Sequence, residues 1–459
     1  MSWRPHLPDG DTPAYLRLVD ALAADVAAGA LAPGQRLPTH RRLAEDLALG
    51  VGTITRAYAE AEARGLITAR VGAGSFVADA LALPGATTDT AGGPVDLARN
   101  LPPMAPAEAA LARSLPRLAR RADLAACLAY APNAGLDGAR RAGAAWIART
   151  ANWDGASAER VICTSGAHQA IASAILTVCR PGDALIVERA TFYGVRLLAG
   201  RVGLRLIAAD MDGEGLTPDG LARAAQDSGA RAAYVLPLQN PTGRLMGAAR
   251  RREIAETARR LDLSLVEDDL FAGHVTDLGL APIAAHAPER TFYASGLSKA
   301  VAPGLRTGYL VPPASAFDRS LESLRALAFG APTFGNAIAT DWIERGEAFQ
   351  VQAEVTAELA ARLELARRIF GPAMEPMTRP ASSHVWLPMS ELDAERVAGQ
   401  ALRQGVEVTS PRPPFLPGIP VDGLRVCLGG PADRNALARA LEVVRAAVQD
   451  APQTAAAFV

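Results

Sequence analysis

One residue type is almost absent from this chain. Of its 47 basic residues, 46 are arginine and one, Lys299, is lysine. Arginine therefore does nearly all the surface work that lysine usually shares. A lysine kept against that bias belongs where a guanidinium cannot substitute. A lysine amine condenses with a carbonyl compound to a Schiff base, and its pKa shifts readily on burial; a guanidinium does neither under ordinary conditions. Composition alone also admits a chance survivor of biased codon usage, so the surrounding residues decide.

Lys299 lies in YASGLSKAVAPGLRTGYL (293–310), with Ser298 beside it and Arg306 seven residues on. A hydroxyl and an arginine fork suit a phosphate. VICTSGAHQAI (161–171) reads as a strand, a turn and a helix start. The amides of Gly166, Ala167 and His168 would point at an anion there, assisted by the helix dipole. LSLVEDD ends a strand in acids, among them Asp268, and QNPTG (239–243) ends another with Asn240. Phe192, in ERATFYG, is placed to stack on a flat ring. Taken singly, NPTG is a turn, EDD a solvated strand edge and TSGAHQ an N-cap. In this order and spacing they meet the demands of pyridoxal phosphate (PLP). Lys299 supplies the amine, and Asp268 an acid that keeps the pyridine nitrogen protonated so that the ring acts as an electron sink. Asn240 suits the ring hydroxyl O3′.

The elements that must position these residues follow from the apolar pattern. From Val95 onward, strand-like runs alternate with Ala/Leu/Arg helices: VICTSG (161–166), ALIVE (184–188), RLIAA (205–209), AAYVLP (232–237) and LSLVEDD (263–269). That alternation predicts an α/β fold with a parallel or mixed sheet covered by helices. Residues 79–94 are rich in Ala, Gly, Pro and Thr without apolar periodicity and read as a flexible linker. Before them, residues 12–78 carry a different pattern. Tyr15, Leu18, Leu22 and Val26 recur at helical steps, predicting a helix over 13–28. The turn LAPGQRLP follows. Thr39 is a candidate N-cap for a second helix that buries Leu43, Ala44 and Leu47. After a break at 48–50, a third helix buries Ile54, Ala57, Tyr58 and Ala61. LITAR and SFVA, joined by VGAG, read as a two-stranded wing.

Three helices and a hairpin make a winged helix-turn-helix. On PGQRLPTHRRLAEDLA, GTITRAYAEAEARGLI and RVGAGSFV, this segment resembles the GntR-type DNA-binding domain. The resemblance implies that the third helix enters the major groove of double-stranded DNA, with Thr53, Thr55 and Arg56 reaching bases or phosphates. It places Arg41 and His40 against backbone or groove, and Arg70 and Gly72 along the minor groove or backbone. Residues 36–70 carry six arginines against four acids, a local net of +2, although 1–78 balance at eight each. The family usually has an arginine early in the recognition helix, where this chain has Val51.

Residues 95–455 resemble fold-type I aminotransferases, and the whole chain resembles a MocR-type regulator of the GntR superfamily. The resemblance implies a mixed, mostly parallel sheet (large part about 136–315) and a smaller C-terminal α+β part (about 316–455), normally as a homodimer. It makes Lys299 the Schiff-base lysine, Asp268 the pyridinium partner and Asn240 the O3′ ligand. It gives phosphate contacts to Ala167, His168, Ser298 and Arg306. Tyr130, in YAPNAGLDGARR, matches a tyrosine that reaches the partner subunit's cofactor phosphate. Arg425, in GLRVCLGG, matches the arginine that clamps a substrate α-carboxylate. Two departures bear on turnover. The tyrosine often found two or three residues after the pyridinium Asp is replaced by Leu270 and Phe271. The serine commonly found three residues before the lysine is Gly296, with Ser295 as a candidate to compensate.

Bulk properties narrow the rest. A net charge of −1 gives no whole-protein case for an anionic-membrane partner. No signal peptide or 18-residue apolar run is read. Four scattered cysteines without a CxxC pair fit a reducing cytoplasm and speak against a zinc site. The expected function is PLP-dependent transcription regulation in response to an amino acid, an amine or PLP itself. The alternatives are a working aminotransferase carrying a winged helix and a PLP-free interaction scaffold. Retention of Lys299, Asp268, Asn240, Arg306 and Arg425 together speaks against the scaffold.

Overall fold

The computed structural model describes residues 3–5, 7, 12–27, 30–31, 34–63, 66–70, 74–77, 93–121, 124–376 and 383–450. The chain divides into two compact units, 1–91 and 92–459.

In the first unit, α1 (Ala14–Ala27) buries Leu18, Val19 and Leu22, while Tyr15 and Val26 pack half-buried at its margins. The Thr39 side chain accepts from the Arg42 amide and caps α2 (His40–Leu47). Ala48 then takes a left-handed conformation, and its amide returns to the Ala44 and Glu45 carbonyls. That closes the turn before α3 (Val51–Ala63). The buried face of α3 is Ile54, Ala57, Tyr58 and Ala61, and the Tyr58 hydroxyl donates to the Pro38 carbonyl. β1 (Ile67–Arg70) and β2 (Gly74–Val77) pair antiparallel. The wing has one feature the sequence did not indicate. Leu37 donates to Ser75 and Val77 to Gln35, so part of the expected LAPGQRLP turn adds a third rung beside β2. Residues 71–73 of the wing turn, residue 78 and most of the linker (79–92) lie outside the described residues.

The second unit runs β3 (Val95–Leu97), α4 (Ala105–Leu118), α5 (Asp137–Thr150), β4 (Ile162–Ser165), α6 (Ala167–Val178), β5 (Ala184–Glu188), α7 (Tyr193–Val202) and β6 (Arg205–Ala209). A short pair, β7 (Met211–Asp212) and β8 (Gly215–Leu216), precedes α8 (Pro218–Ser228), β9 (Ala232–Val235), α9 (Ala248–Arg260), β10 (Ser264–Asp268), α10 (Ile283–His286), β11 (Thr291–Gly296) and β12 (Thr307–Val311). Then come α11 (Phe317–Leu327), α12 (Thr333–Glu344), α13 (Glu347–Phe370), β13 (His384–Pro388), α14 (Glu391–Arg403), β14 (Val406–Val408), β15 (Gly423–Cys427) and α15 (Arg434–Gln449).

Seven strands form one sheet in the order β4-β12-β11-β10-β9-β5-β6. All pairings are parallel except those of β12, which runs antiparallel to β11 and β4. β5, β9, β11 and β12 are buried along their whole length. That is why the β5 and β9 sequences, ALIVE and AAYV, read as nearly continuous apolar runs. Along β9, side chains alternate between two cores: Ala232 and Tyr234 join Ile171, Leu185 and Val266, while Ala233 and Val235 join Ile186, Ile254 and Leu265. The smaller part packs α13, α14 and α15 around antiparallel β13 and β15, with Trp386, Phe415 and Leu441 in its core. β14 pairs in parallel with β3, which seats the start of this unit against its C-terminal part.

Candidate functional site

The candidate site gathers at the carboxyl ends of parallel strands, where loops between strand and helix meet. β10 ends on Asp268, and the loop after β11 carries Ser298 and Lys299. Asn240 follows β9 in a turn whose Asn240–Pro241 peptide is cis. The loop after β4 turns through Gly166, at φ 76°, into α6. No L side chain adopts that conformation readily, so the glycine is required.

The Lys299 amine donates to the Asn100 carbonyl at 2.6 Å. Burial, followed by the nearby Arg425 guanidinium, pushes its pKa down to about 8. Asp268 is buried, and burial pushes its carboxyl up to about 6, opposed by bonds from the Tyr234 phenol and the Leu270 amide. The Tyr234 hydroxyl donates to Asp268 Oδ2 at 2.5 Å. Arg425, on β15, donates from Nη1 to Asn240 Oδ1 at 2.7 Å, from Nε to Thr409 Oγ1 and from Nη2 to the Ala98 carbonyl, both at 3.0 Å. Asn240 Oδ1 is thereby taken, and its amide Nδ2 remains the atom to offer to a ligand.

The anion end of the site is equally defined. Arg306 donates from Nη2 to the Ser165 carbonyl, and a Cβ at Gly166 would stand 2.8 Å from that same nitrogen. Arg306 thus lies across the turn that opens α6, where the first-turn amides have no intrahelical acceptor. Gly308 backs the same turn so closely that a Cβ would lie 2.4 Å from Gly166 C and 2.6 Å from Ala167 N. His168, exposed in the first turn of α6, meets Phe192 edge to face at 5.9 Å between ring centres. Ser298 stands half-buried beside Lys299.

Lys299, Asp268, Asn240, Arg306 and Arg425 are therefore brought together, with Gly166, Ala167, His168 and Phe192 at the anion end. Tyr130 is not among them: it is 89% exposed, and its ring lies 6.2 Å from that of Phe329. Ser295 does not compensate for Gly296. It is buried on β11 and bonded to the Tyr293 phenol. A Cβ at position 296 would stand 3.0 Å from the Thr307 carbonyl, which explains the glycine. Phe271 is buried with its ring about equally far from His274 and His384, at 5.9 and 6.0 Å, so no phenol replaces the missing one. Burial, then Lys299, lowers His274 to about 4, and burial with Arg425 holds His384 well below the usual imidazole range. Both are neutral near pH 7.

Residue patterns missed Tyr234, Thr409, Asn100 and His384. Tyr234 carried one weak signal, a hydroxyl in an otherwise apolar strand run; the others sit in segments without periodicity or motif.

In the first unit, Arg41 is exposed at the start of α2. Thr55 donates to the Val51 carbonyl and lies 3.3 Å from His40 Nδ1. The Arg56 guanidinium rests 4.2 Å from the centre of the Tyr15 ring, and Thr53 is half-buried. The side chain of Arg70 and the whole of Gly72 lie outside the described residues.

With this geometry in view, residues 93–444 match the family of class I and II aminotransferases, and residues 14–77 match the gntR family of bacterial regulatory proteins. The chain belongs to the aminotransferase class I and II family and carries a GntR-family domain at its N-terminal end. It is 29% identical over 317 residues to the uncharacterized HTH-type transcriptional regulator YdeF of Bacillus subtilis, covering 68% of each chain. It is 28% identical over 324 residues to the HTH-type pyridoxine biosynthesis transcriptional regulator PdxR of Corynebacterium glutamicum, covering 67% of each. Among solved structures, an archaeal alanine:glyoxylate aminotransferase superposes with a TM-score of 0.71 at 20% identity, covering 78% of this chain and 91% of the other. That likeness establishes the fold-type I architecture.

The cofactor of this family is PLP, and the residues present fit it. A buried amine, a buried carboxylate, a free amide donor and an arginine over a helix start are the donor set its aldehyde, pyridine nitrogen, O3′ and phosphate require.

Proposed function

We propose that this chain is a MocR-type, PLP-dependent transcription regulator. Residues 12–78 bind double-stranded DNA, with Arg41, Thr53, Thr55 and Arg56 at the contact, and 79–94 link them to the sensing domain, 95–455. That domain, working as a cytoplasmic homodimer, responds to an amino acid, an amine or PLP. The observation that carries the reading is the meeting of buried Asp268 and Asn240 with half-buried Lys299 and Arg425 in one cluster, within a chain that also carries a GntR-family domain. Among the described residues no helix is long and apolar enough to cross a membrane.

When bound, PLP supplies a reactive aldehyde and an electron-withdrawing ring. Lys299 offers the nucleophilic amine. Asp268, oriented by Tyr234, holds a proton at the pyridine nitrogen. Asn240, held by Arg425, would donate to the ring hydroxyl, and the N–H groups of Arg425 not used on Thr409, Asn240 and Ala98 would be offered to an incoming carboxylate. Arg306 and the α6 amides hold the phosphate. For the ligand to act on transcription, it must bind one arrangement of the domains better than another.

The test is DNA binding by the full chain with PLP and a panel of amino compounds, at several salt concentrations. Sequence-selective, salt-sensitive affinity that shifts with one compound supports the regulator; equal affinity for random DNA sinks it. The second reading, a working aminotransferase, is favoured by the same retained cluster and opposed by Phe271 and Leu270 at the phenol positions. Rapid conversion of added amino acids to keto acids would decide for it.

A further inference from the structure

Six residues at the start of the sensing domain lie across the site and are held by its reactive groups. The Asn100 carbonyl takes the Lys299 amine at 2.6 Å. The Ala98 carbonyl takes Arg425 Nη2 and Thr409 Oγ1 at 3.0 Å and the Cys427 thiol at 3.3 Å. The Asn100 side chain accepts from Ser383 Oγ and lies 2.8 Å from His384 Nδ1. The Ala98 and Arg99 amides fold back on Asp96 Oδ1, and β3 is hydrogen-bonded to β14. The seat beneath is glycine: a Cβ at Gly429 would stand 1.7 Å from the Leu101 carbonyl oxygen, and one at Gly430 2.5 Å from that of Asp96. On its N-terminal side this strap runs directly into the linker read at 79–94.

We infer that residues 96–101 are an occupancy-reporting strap: the Lys299 amine tethers the Asn100 carbonyl, and condensing that amine with the PLP aldehyde releases the strap toward the linker. The inference rests on the reading that Lys299 binds PLP. In the condensation the lysine nitrogen adds to the aldehyde carbon, a C=N bond forms, the aldehyde oxygen leaves as one water, and the ammonium's extra proton goes to solvent. The nitrogen that donated to Asn100 is then committed to the new bond. The Asn100 carbonyl loses a charge-assisted hydrogen bond, the stronger kind. The two states of Lys299 therefore interact differently with the strap, which is what coupling requires. Asp96 and Leu97 stay paired in β3, while Ala98–Leu101 are irregular and held by side chains, so opening is confined to that stretch and draws on few cooperative contacts.

The experiment is amide hydrogen exchange, read by mass spectrometry, on peptides spanning 95–101 in the full chain with and without PLP. Adduct stoichiometry is measured on the same samples by intact mass after borohydride reduction. The Ala98, Arg99 and Leu101 amides, each bonded within the strap, should exchange about tenfold faster once Lys299 is modified. A peptide covering 205–209, on β6 and bonded to neither the strap nor Lys299, serves as the unaffected reference. Lys299→Ala should exchange fast with or without PLP, and Lys299→Arg, which cannot condense, should not respond to PLP. Full adduct with an unchanged strap overturns this inference and leaves the cofactor reading standing. A Lys299→Ala strap as protected as the wild type also overturns it. Absence of any adduct on Lys299 removes both.

Discussion

In the proposed role Lys299 would react as the neutral amine, and its surroundings favour that form more than water does. Its ordinary pKa of 10.5 is lowered to about 8 because burial and then Arg425 disfavour the ammonium. Below that pH the amine is protonated and capture of PLP slows roughly tenfold per unit. Above it the rate levels off, well before the usual lysine range. Stopped-flow absorbance between pH 6 and 10 reads this directly, and a rate still climbing beyond pH 10 would contradict it. Asp268 has the opposite problem, since burial raises its carboxyl to about 6 while the pyridinium partner requires it ionised. The Tyr234 hydroxyl is the bond that opposes the shift. Tyr234→Phe should raise the Asp268 pKa further and weaken PLP binding by about tenfold, the order expected for losing one hydrogen bond to a charged group. A PLP titration followed by absorbance checks it; unchanged affinity would show that the phenol does not support the carboxylate.

At the scale of elements, the turn between β4 and α6 depends on close backbone contact. Gly308→Ala would place a Cβ 2.4 Å from one backbone atom and 2.6 Å from another, neither of which can swing aside. Such overpacking typically costs about 1–3 kcal/mol. The expected outcome is a lower thermal midpoint together with weaker PLP binding, because the amides that hold the phosphate shift. Gly304→Ala, with nothing within 4 Å of the added carbon, is the control and should change neither. Strands, caps and the winged helix were legible in the sequence because each rests on a local signal: continuous apolar runs for β5 and β9, Thr39 for the α2 cap, the 54-57-58-61 face for α3. Asp268 and Asn240 were legible because each stands at the end of a recognisable apolar run, Lys299 because it is the one lysine of the chain, and Arg306 because it lies seven residues beyond it. Thr409, Asn100 and His384 were not. They reach the site through pairing of β3 with β14 and β13 with β15, contacts that join residues some 40 to more than 300 positions apart and leave no local pattern. Gly296 was legible only as a departure; its cause, the Thr307 carbonyl, belongs to the neighbouring strand β12.

At the scale of the whole molecule, the exposed position of Tyr130 becomes intelligible if a second copy covers it. Leu128 and Phe329 are 92% and 72% exposed, and Phe334 is exposed as well. The Tyr130 and Phe329 rings lie 6.2 Å apart, and the Thr333 hydroxyl, next to Phe334, donates to the carbonyl of Cys127, next to Leu128, so the two segments that carry these residues meet. A cluster of large apolar side chains on one surface marks an association site in a soluble protein. If Tyr130 has the role at the partner subunit's phosphate that the resemblance implies, a partner would lie on this surface. Phe329→Glu sets a charge within the patch and should convert a dimer to a monomer in analytical ultracentrifugation. PLP should then be held more weakly, because Tyr130 no longer reaches a second site, although no residue of the chain's own cluster has changed. Leu392→Glu, at an equally exposed position on α14, is the matched control and should leave both assembly and PLP binding intact. A Phe329→Glu protein that remains dimeric would place the interface elsewhere. One that becomes monomeric yet binds PLP undiminished would separate the dimer from the cofactor site, leaving paired recognition of DNA half-sites as the reason for assembly.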